Sequence, residues 1–411
     1  MTLTYDEAVA LDQADPLASF RTEFLRGDDP VAYLDGNSLG RPPLRTVRRV
    51  EDVLRRQWGE RLIRSWEDGW LELPEQVGDR LASACLGAAA GQTVIAESTS
   101  VNLYKAIHAA CGLRDGRDEL VATDTDFPTD RYLVESVASA RGMTVRWLSP
   151  DVVEGVTSEQ LDVVLSERTA AVLLSHVDYR SGVLLDMAAI TDQVHAVGAL
   201  VIWDLCHSAG VIPLALDAVG VDLAVGCTYK YLNAGPGAPA FVYVAERHLR
   251  EVRQPITGWW SSTDRFAMGP SYEADPSIRA MLSGTAYVPG IVAVDASVSL
   301  VAEAGIDAIR EKAVALTEHC VALVDAWLVP HGFAVASPRD PARRGGHVTV
   351  QGPRAREVAA AMYEAKVIPD FRNPDMIRLG LSPLTTSYAE LWTAMDITRR
   401  IAEGDPVAVA L

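Results

Sequence analysis

Four runs of apolar residues frame the chain: AAVLLSHV (170–177), ALVIWD (199–204), LAVGCT (223–228) and APAFVYVA (238–245). Each has the length of a strand and lacks the alternation of a strand with one wet face, so each is expected to be buried on both sides. Between the first two, AAITDQVHAVG (188–198) spaces its apolar residues as a helix does. Strands alternating with helices predict an α/β fold with a mostly parallel sheet sandwiched by helices.

After about residue 290 the texture changes. A long helical stretch, IVAVDASVSLVAEAG (291–305), is followed by GGHVTVQG (345–352) and MIRLGLSP (376–383) as strands, and Ser387-x-x-Glu390 predicts a capping box at the start of the last helix. The pattern predicts a large domain over 61–290 and a smaller α+β domain over 291–411, which an N-terminal segment, 1–60, joins.

Composition narrows the class. With 49% hydrophobic and 22% charged residues the chain can bury a sizeable core. Lys and Arg number 37 against 55 Asp and Glu, a net charge of −18 that disfavours nucleic acid or an anionic membrane surface as partner. No run approaches the roughly 18 apolar residues of a membrane span, and the opening MTLTYDEAVALDQADP has neither the basic nor the apolar region of an export signal. A cytoplasmic protein is the expectation. Cys85, Cys111, Cys206, Cys227 and Cys320 are scattered, odd in number and without a C-x-x-C pair, so they read as reduced apolar residues and no disulfide or metal framework is expected.

The candidate chemistry centres on CTYKYLNAGPG (227–237), where Lys230 stands at the end of a buried strand ahead of a glycine-rich turn. A lysine there is at the surface or reactive, because burying an unpaired ammonium is costly. Asp204 ends the strand ALVIWD, at the edge of the sheet where ligands of open α/β folds gather, and His207 follows. Alone, such an Asp is as readily a cap or turn former, and such a His a satisfied core group. Lys230 lies 26 residues beyond Asp204, about one βαβ step. Pyridoxal phosphate needs both partners: a lysine to form a Schiff base and an acid to keep its ring nitrogen protonated. Ser98, Thr99 and Ser100 open a predicted helix and suit a phosphate, although an ordinary N-cap would look the same. Phe127, on the turn TDTDFPTDRY, could stack on a ring or simply pack in the core.

In that order the residues resemble fold-type-I pyridoxal-phosphate enzymes, and closely resemble kynureninases of the bacterial type. The likeness runs through YLDGNSLGRPP (33–43), WGERLIRSW (58–66), STSVNLYKA (98–106), DFPTDRY (126–132), VIWDLCHSAG (201–210), GCTYKYLNAGPG (226–237), GWW (258–260) and MIRLGLSPL (376–384), nearly the whole chain. The resemblance implies that Lys230 holds pyridoxal 5'-phosphate as a Schiff base, Asp204 pairs with the ring nitrogen beside His207, and Phe127 stacks on the ring. Thr99, Ser100 and Tyr229 would touch the phosphate, with Tyr229 also moving protons, and Thr129 and Ser175 would complete the cofactor set. Asn37, Trp66, Ser262 and Arg378 fall at substrate positions, Arg378 taking the α-carboxylate in a bidentate fork. Trp259 and Thr285 match positions that the neighbouring subunit supplies, which implies a homodimer with shared active sites. The implied reaction is hydrolysis of the Cβ–Cγ bond of a kynurenine to an anthranilate and L-alanine, in tryptophan catabolism and NAD biosynthesis.

One departure bears on specificity. Such enzymes continue after Gly258-Trp259 with an aromatic, a glycine and a histidine, whereas this chain reads Trp260-Ser261-Ser262. The missing imidazole leaves the preferred ring substituent open. Trp66 and Thr285 look like the enzymes that favour unsubstituted L-kynurenine. Two other readings use the same fold: a cysteine desulfurase, which needs a nucleophilic cysteine on a late mobile loop that nothing after Cys320 provides, and a non-catalytic cofactor-binding regulator, which would carry a basic DNA-binding segment that is absent here.

Overall fold

The computed structural model describes residues 4–27, 30–267 and 269–404, so the outermost residues of the two terminal segments, 1–3 and 405–411, lie outside the described residues. Its strands, in chain order, are β1 (Ala32–Tyr33), β2 (Thr93–Ile95), β3 (Glu119–Thr123), β4 (Thr144–Leu148), β5 (Thr169–Ser175), β6 (Leu200–Asp204), β7 (Leu223–Gly226), β8 (Phe241–Val244), β9 (Ala334–Val335), β10 (His347–Gln351), β11 (Val367–Ile368), β12 (Asp370–Arg372) and β13 (Met376–Gly380).

The large sheet has the order β2-β8-β7-β6-β5-β3-β4. Strands β7, β6, β5, β3 and β4 are parallel to one another, and β8 runs antiparallel to both β7 and β2. Burial explains the unbroken apolar runs. Successive residues go to opposite faces of a strand, and here both faces are covered: Val201 and Trp203 of β6 pack in one apolar cluster, Leu200 and Ile202 in another, and β5 divides Val172 and Leu174 from Ala171 and Leu173 in the same way. Trimming such a fully enclosed side chain as Ile202 to Ala costs about 2–5 kcal/mol.

The smaller unit is built on the antiparallel sheet β12-β13-β10-β9 with its own apolar core. N-terminal residues pack on it: β1 pairs in parallel with β11, and the helix Tyr5–Ala14 lies against the last helix, Tyr388–Glu403, where Asp12 accepts from the amides of Tyr388 and Ala389 at 3.0 Å each.

Two local expectations change. The helix Val288–Ala304 was expected to open the small domain, yet its Ile291, Val294, Val298 and Val301 pack in a cluster of the large sheet, against the helices Leu44–Asp52 and Leu73–Leu81. Its apolar face finds a larger surface there, so packing changes over within the next helix, between Ile309 and Leu316, and Leu17 and Phe24 of the N-terminal segment also side with the large sheet. The predicted capping box is half formed. Ser387 accepts from the Glu390 amide at 3.0 Å, but the Glu390 carboxylate takes the Tyr33 amide at 3.0 Å and pairs with Arg41. It secures the N-terminal strand instead of its own helix.

Candidate active site

Three neighbouring chain segments end at one place. Strand β6 delivers Asp204, whose Oδ1 accepts from the Cys206 amide at 2.7 Å. Its neighbour β7 runs into Cys227-Thr228-Tyr229-Lys230, and a tight turn fixes the lysine: Asn233 N donates to Lys230 O and Ala234 N to Thr228 O, both at 2.9 Å, with Asn233 at a φ of 59°. The DGNSLG segment closes over that turn, Gly40 N donating to Tyr229 O at 2.8 Å. A Cβ on Gly40 would stand 2.4 Å from Lys230 O, so the approach requires glycine.

The cavity these segments enclose measures about 240 Å³. Of the residues singled out from sequence, Thr99, Ser100, Phe127, Thr129, Ser175, Asp204, His207, Tyr229, Lys230 and Arg378 line it together. Thr99 and Ser100 are the first residues of the helix Thr99–Leu113, capped by Ser98, whose Oγ accepts from Val101 N at 3.4 Å. Amides in that first turn have no acceptor within the helix and point to an anion. Phe127 precedes the helix Pro128–Arg141, is 40% exposed, and meets Tyr179 edge to face at 5.4 Å.

The electrostatics are shaped by burial. Lys230 Nζ lies 3.2 Å from His207 Nε2, and His207 is held well below its ordinary pKa by burial first, then by Lys230 and Arg378, which favours a neutral ring beside the lysine amine. Beside Asp204, Asp130 is buried with its Oδ2 unpartnered, and desolvation, reinforced by the charges of Asp204 and Asp126, pushes its carboxyl well up. Burial pushes Tyr229 up as well, which keeps the phenol protonated.

Arg378 is almost fully buried on β13. Its Nη1 donates to Tyr179 O at 2.5 Å, and its Nη2 donates to Ser38 Oγ at 2.7 Å and pairs with Asp370 at 2.5 Å. Asp35 lies 3.8 Å from the same nitrogen, and its carboxyl is pushed up to about 6, by desolvation above all.

Five of the residues singled out lie elsewhere in the chain. Asn37 is fully buried behind the cavity, both its amide atoms unpartnered, with Oδ1 against Gly380. Trp66 belongs to an aromatic cluster, with ring centroids 5.5 Å from Trp70 and Trp260 and 6.4 Å from Trp259. Trp259 and Ser262 line a separate surface cavity of about 650 Å³, and Thr285 one of about 490 Å³ on the other side of the Glu97-Ser98 turn. Conversely, Ser38, Asp130, Tyr179, Cys206 and Arg372 line the Lys230 cavity and were not singled out. Asp130, Cys206 and Ser38 sit inside motifs quoted above. Tyr179 and Arg372 carry no local signal, because only the tertiary fold brings them there.

Among the described residues no helix is long and apolar enough to cross a membrane, and no group of His, Cys, Asp or Glu is placed to hold a metal ion.

Comparison with known proteins gives three results. Residues 309–398 match the family model described as the kynureninase C-terminal domain. The kynureninase of Pseudomonas fluorescens is 38% identical over 97% of this chain and 96% of its own length, and that of Burkholderia pseudomallei (strain 1106a) is 39% identical over the same shares. Among solved structures, a cysteine desulfurase from Thermococcus onnurineus NA1 superposes with a TM-score of 0.80 at 16% identity, covering 92% of this chain and 97% of that one. A C-DES mutant with glycine covalently linked to its PLP cofactor gives 0.79 at 19%, covering 90% and 97%. At such identities these two structures establish the fold alone. They do not revive the desulfurase reading, since Cys320 is buried in the small-domain core with its thiol pushed up to about 12. Identity of 38–39% sustained from end to end decides the family: the chain belongs to the kynureninases.

Proposed function

We propose that this chain hydrolyses the Cβ–Cγ bond of L-kynurenine, or of a ring-substituted (3-hydroxy or methylated) kynurenine, to an anthranilate and L-alanine with pyridoxal 5'-phosphate as cofactor. The observation that carries this reading is the convergence of Lys230, Asp204 and the Thr99–Ser100 helix start on one cavity, in a chain related over 97% of its length to kynureninases.

The cavity suits that cofactor in each of its parts. A primary amine and a carboxylate come from adjacent strand ends, unpaired amides and hydroxyls from a helix start, and a half-exposed aromatic ring from Phe127. Bound pyridoxal phosphate supplies a cationic ring that withdraws electrons from the α-carbon of an attached amine. Lys230 would hold the cofactor and, once displaced by the substrate amine, move a proton at the substrate Cα, with the neutral His207 beside it to accept a hydrogen bond. Asp204 would hold a proton on the ring nitrogen. Asp130, its carboxyl pushed up by burial and by the charges of Asp204 and Asp126, is disfavoured from placing a second negative charge there. Tyr229, protonated at the cavity wall, is placed to pass a proton near the phosphate. Arg378 would orient the α-carboxylate, and Asn37, directly behind Ser38, would support that end of the site.

A homodimer with shared sites fits the positions of Trp259 and Thr285. Both face cavities separate from the Lys230 cavity of their own chain, as residues given to a partner would, and Trp58, Ile63, Phe266 and Tyr287 expose apolar area that a second copy could cover. A cytoplasmic setting in the kynurenine pathway fits the acidic composition and the five free cysteines.

The test is to incubate the pure protein and cofactor with L-kynurenine, 3-hydroxykynurenine and ring-methylated analogues, and to follow alanine release from each. Release from at least one is expected. Release from none of them overturns the reading.

A further inference from the structure

The arginine that the resemblance assigns to the substrate carboxylate already has acceptors at both of its terminal nitrogens. Arg378 has Nη1 on the Tyr179 carbonyl, Nη2 on Ser38 and Asp370, and a buried Nε that meets no acceptor. A bidentate fork needs two parallel N–H groups free at once, and here Nη2 is taken up by Ser38 and Asp370, so the Nη1–Nη2 edge opens only by an exchange of partners.

Arg372 presents the opposite picture. It stands on β12, next to β13, where Asp370 faces Arg378 across the strands. The same Asp370 Oδ2 that pairs with Arg378 accepts from Arg372 Nε at 2.7 Å. That bond anchors the guanidinium at Nε, and its carbon lies 5.7 Å from the centre of the Tyr179 ring, which flanks it at the cavity wall. Among the described residues Nη1 and Nη2 of Arg372 meet no acceptor, and the side chain is 29% exposed at the cavity that also holds Lys230.

We propose that Arg372 is a second substrate-binding residue, whose free Nη1–Nη2 edge receives the α-carboxylate of the amino-acid substrate, while Asp370 positions both arginines. This rests on the reading that the cavity takes an α-amino acid. In the free protein the charges of Arg372 and Arg378 are opposed by Asp370 and by Asp35. An arriving carboxylate meets Arg372 at the rim without displacing any bond within the chain, then gains Arg378 by exchange with Ser38. The order of contact follows from exposure: Arg378 has 1% of its side chain accessible.

The experiment uses the holoprotein and two small ligands, L-alanine and L-alaninamide, which share the amine and differ in the carboxylate. Each is titrated while the visible absorption of the bound cofactor is followed. Wild type is expected to prefer alanine. Arg372→Gln should lower that preference about tenfold or more, the worth of one charge-assisted contact, and leave alaninamide binding unchanged. Arg372→Lys should fall between the two, and Arg378→Lys should lower the preference as well. If Arg372→Gln keeps the full wild-type preference, or weakens both ligands by the same factor, Arg372 is only a rim cation paired with Asp370 and the proposal is overturned. If wild type itself shows no preference for alanine, the α-amino-acid reading of the cavity fails instead.

Discussion

Nζ of Lys230 stands 3.2 Å from Nε2 of His207, a buried imidazole kept neutral by desolvation and by the cations around it. A primary amine with a neutral proton acceptor beside it is arranged to give up a proton and attack a carbonyl. The pure protein should therefore be yellow, and borohydride should fix the cofactor to the peptide containing CTYKYLNAGPG. Lys230→Ala should still bind cofactor, through the Thr99–Ser100 helix start, and lose turnover. Labelling of any other lysine would end the assignment.

Asp204 is tied by its Oδ1 to the Cys206 amide and lines the cavity together with Lys230. Removing its carboxylate should cost transition-state stabilisation. Asp204→Ala is expected to lower kcat by about a hundredfold or more, each 1.4 kcal/mol being about tenfold in rate. Asp204→Glu should retain part of the rate. Equal kcat in wild type and the alanine variant would reduce the carboxylate to a turn former.

Asp126 is buried, lining a small neighbouring cavity with Thr123 and Ser175, with Oδ2 unpartnered, and desolvation pushes its carboxyl up to about 7 against the Thr123 and Ser175 hydrogen bonds that oppose the shift. A carboxyl whose folded pKa is raised favours the folded state below its unfolded pKa near 4, and that contribution is lost as pH rises through 7. Asp126→Asn cannot ionise. The stability of the variant relative to wild type should grow by up to about 1.4 kcal/mol per pH unit between pH 4 and 7, and level off above. Denaturant unfolding at pH 5 and pH 8 measures it; a pH-independent difference would mean that Asp126 does not titrate in this range.

These cases show what could be read along the chain and what could not. Ile202 and Trp203 face opposite clusters, so both had to be apolar, and an unbroken run announced β6 before its position in the sheet was known. Lys230, Asp204 and Thr99 were legible because each ends or starts an element whose pattern is local. Arg372 was not, because its distinction from Arg378 depends on Asp370 and Tyr179, which strand pairing and domain packing bring together. Glu390 misled for the same reason: its spacing from Ser387 fits a capping box, but Tyr33, more than 350 residues earlier in the sequence, takes its carboxylate.

Ile63 projects from the WGERLIRSW segment with 76% of its surface exposed, near the likewise exposed Trp58 and Leu62. If a second copy covers this area, Ile63→Glu would bury an unpaired charge at the contact and weaken it. Light scattering should then show a shift from dimer to monomer at micromolar concentration. Turnover should fall with the dimer fraction, because Trp259 and Thr285 would be withdrawn from the partner's site. A monomeric wild type, or a variant that dimerises and turns over as wild type does, would exclude sharing through this surface.

Ser261 and Ser262 stand where a glycine and a histidine are expected, but the two serines differ in what they do. Ser261 is fully buried, its Oγ donating to Gly258 O at 3.1 Å and accepting from the Tyr272 hydroxyl at 3.1 Å, so it holds the loop. Ser262 lines the surface cavity beside Trp259, so of the two serines it is the one placed to meet a substrate ring if a partner subunit completes that cavity. A serine in place of an imidazole leaves room at the wall of an aryl pocket, and filling such room with one methyl group gains on the order of 1 kcal/mol. The protein should therefore accept ring-substituted kynurenines better than its bacterial relatives do. Ser262→His should shift preference toward unsubstituted L-kynurenine by several-fold, whereas Ser261→Gly should loosen the loop and lower kcat/KM for all substrates alike. The quantity to measure is the ratio of kcat/KM for substituted over unsubstituted substrate. If neither Ser262→His nor the double change Ser261→Gly, Ser262→His alters that ratio, ring specificity is set elsewhere and the departure is a neutral variation of the loop.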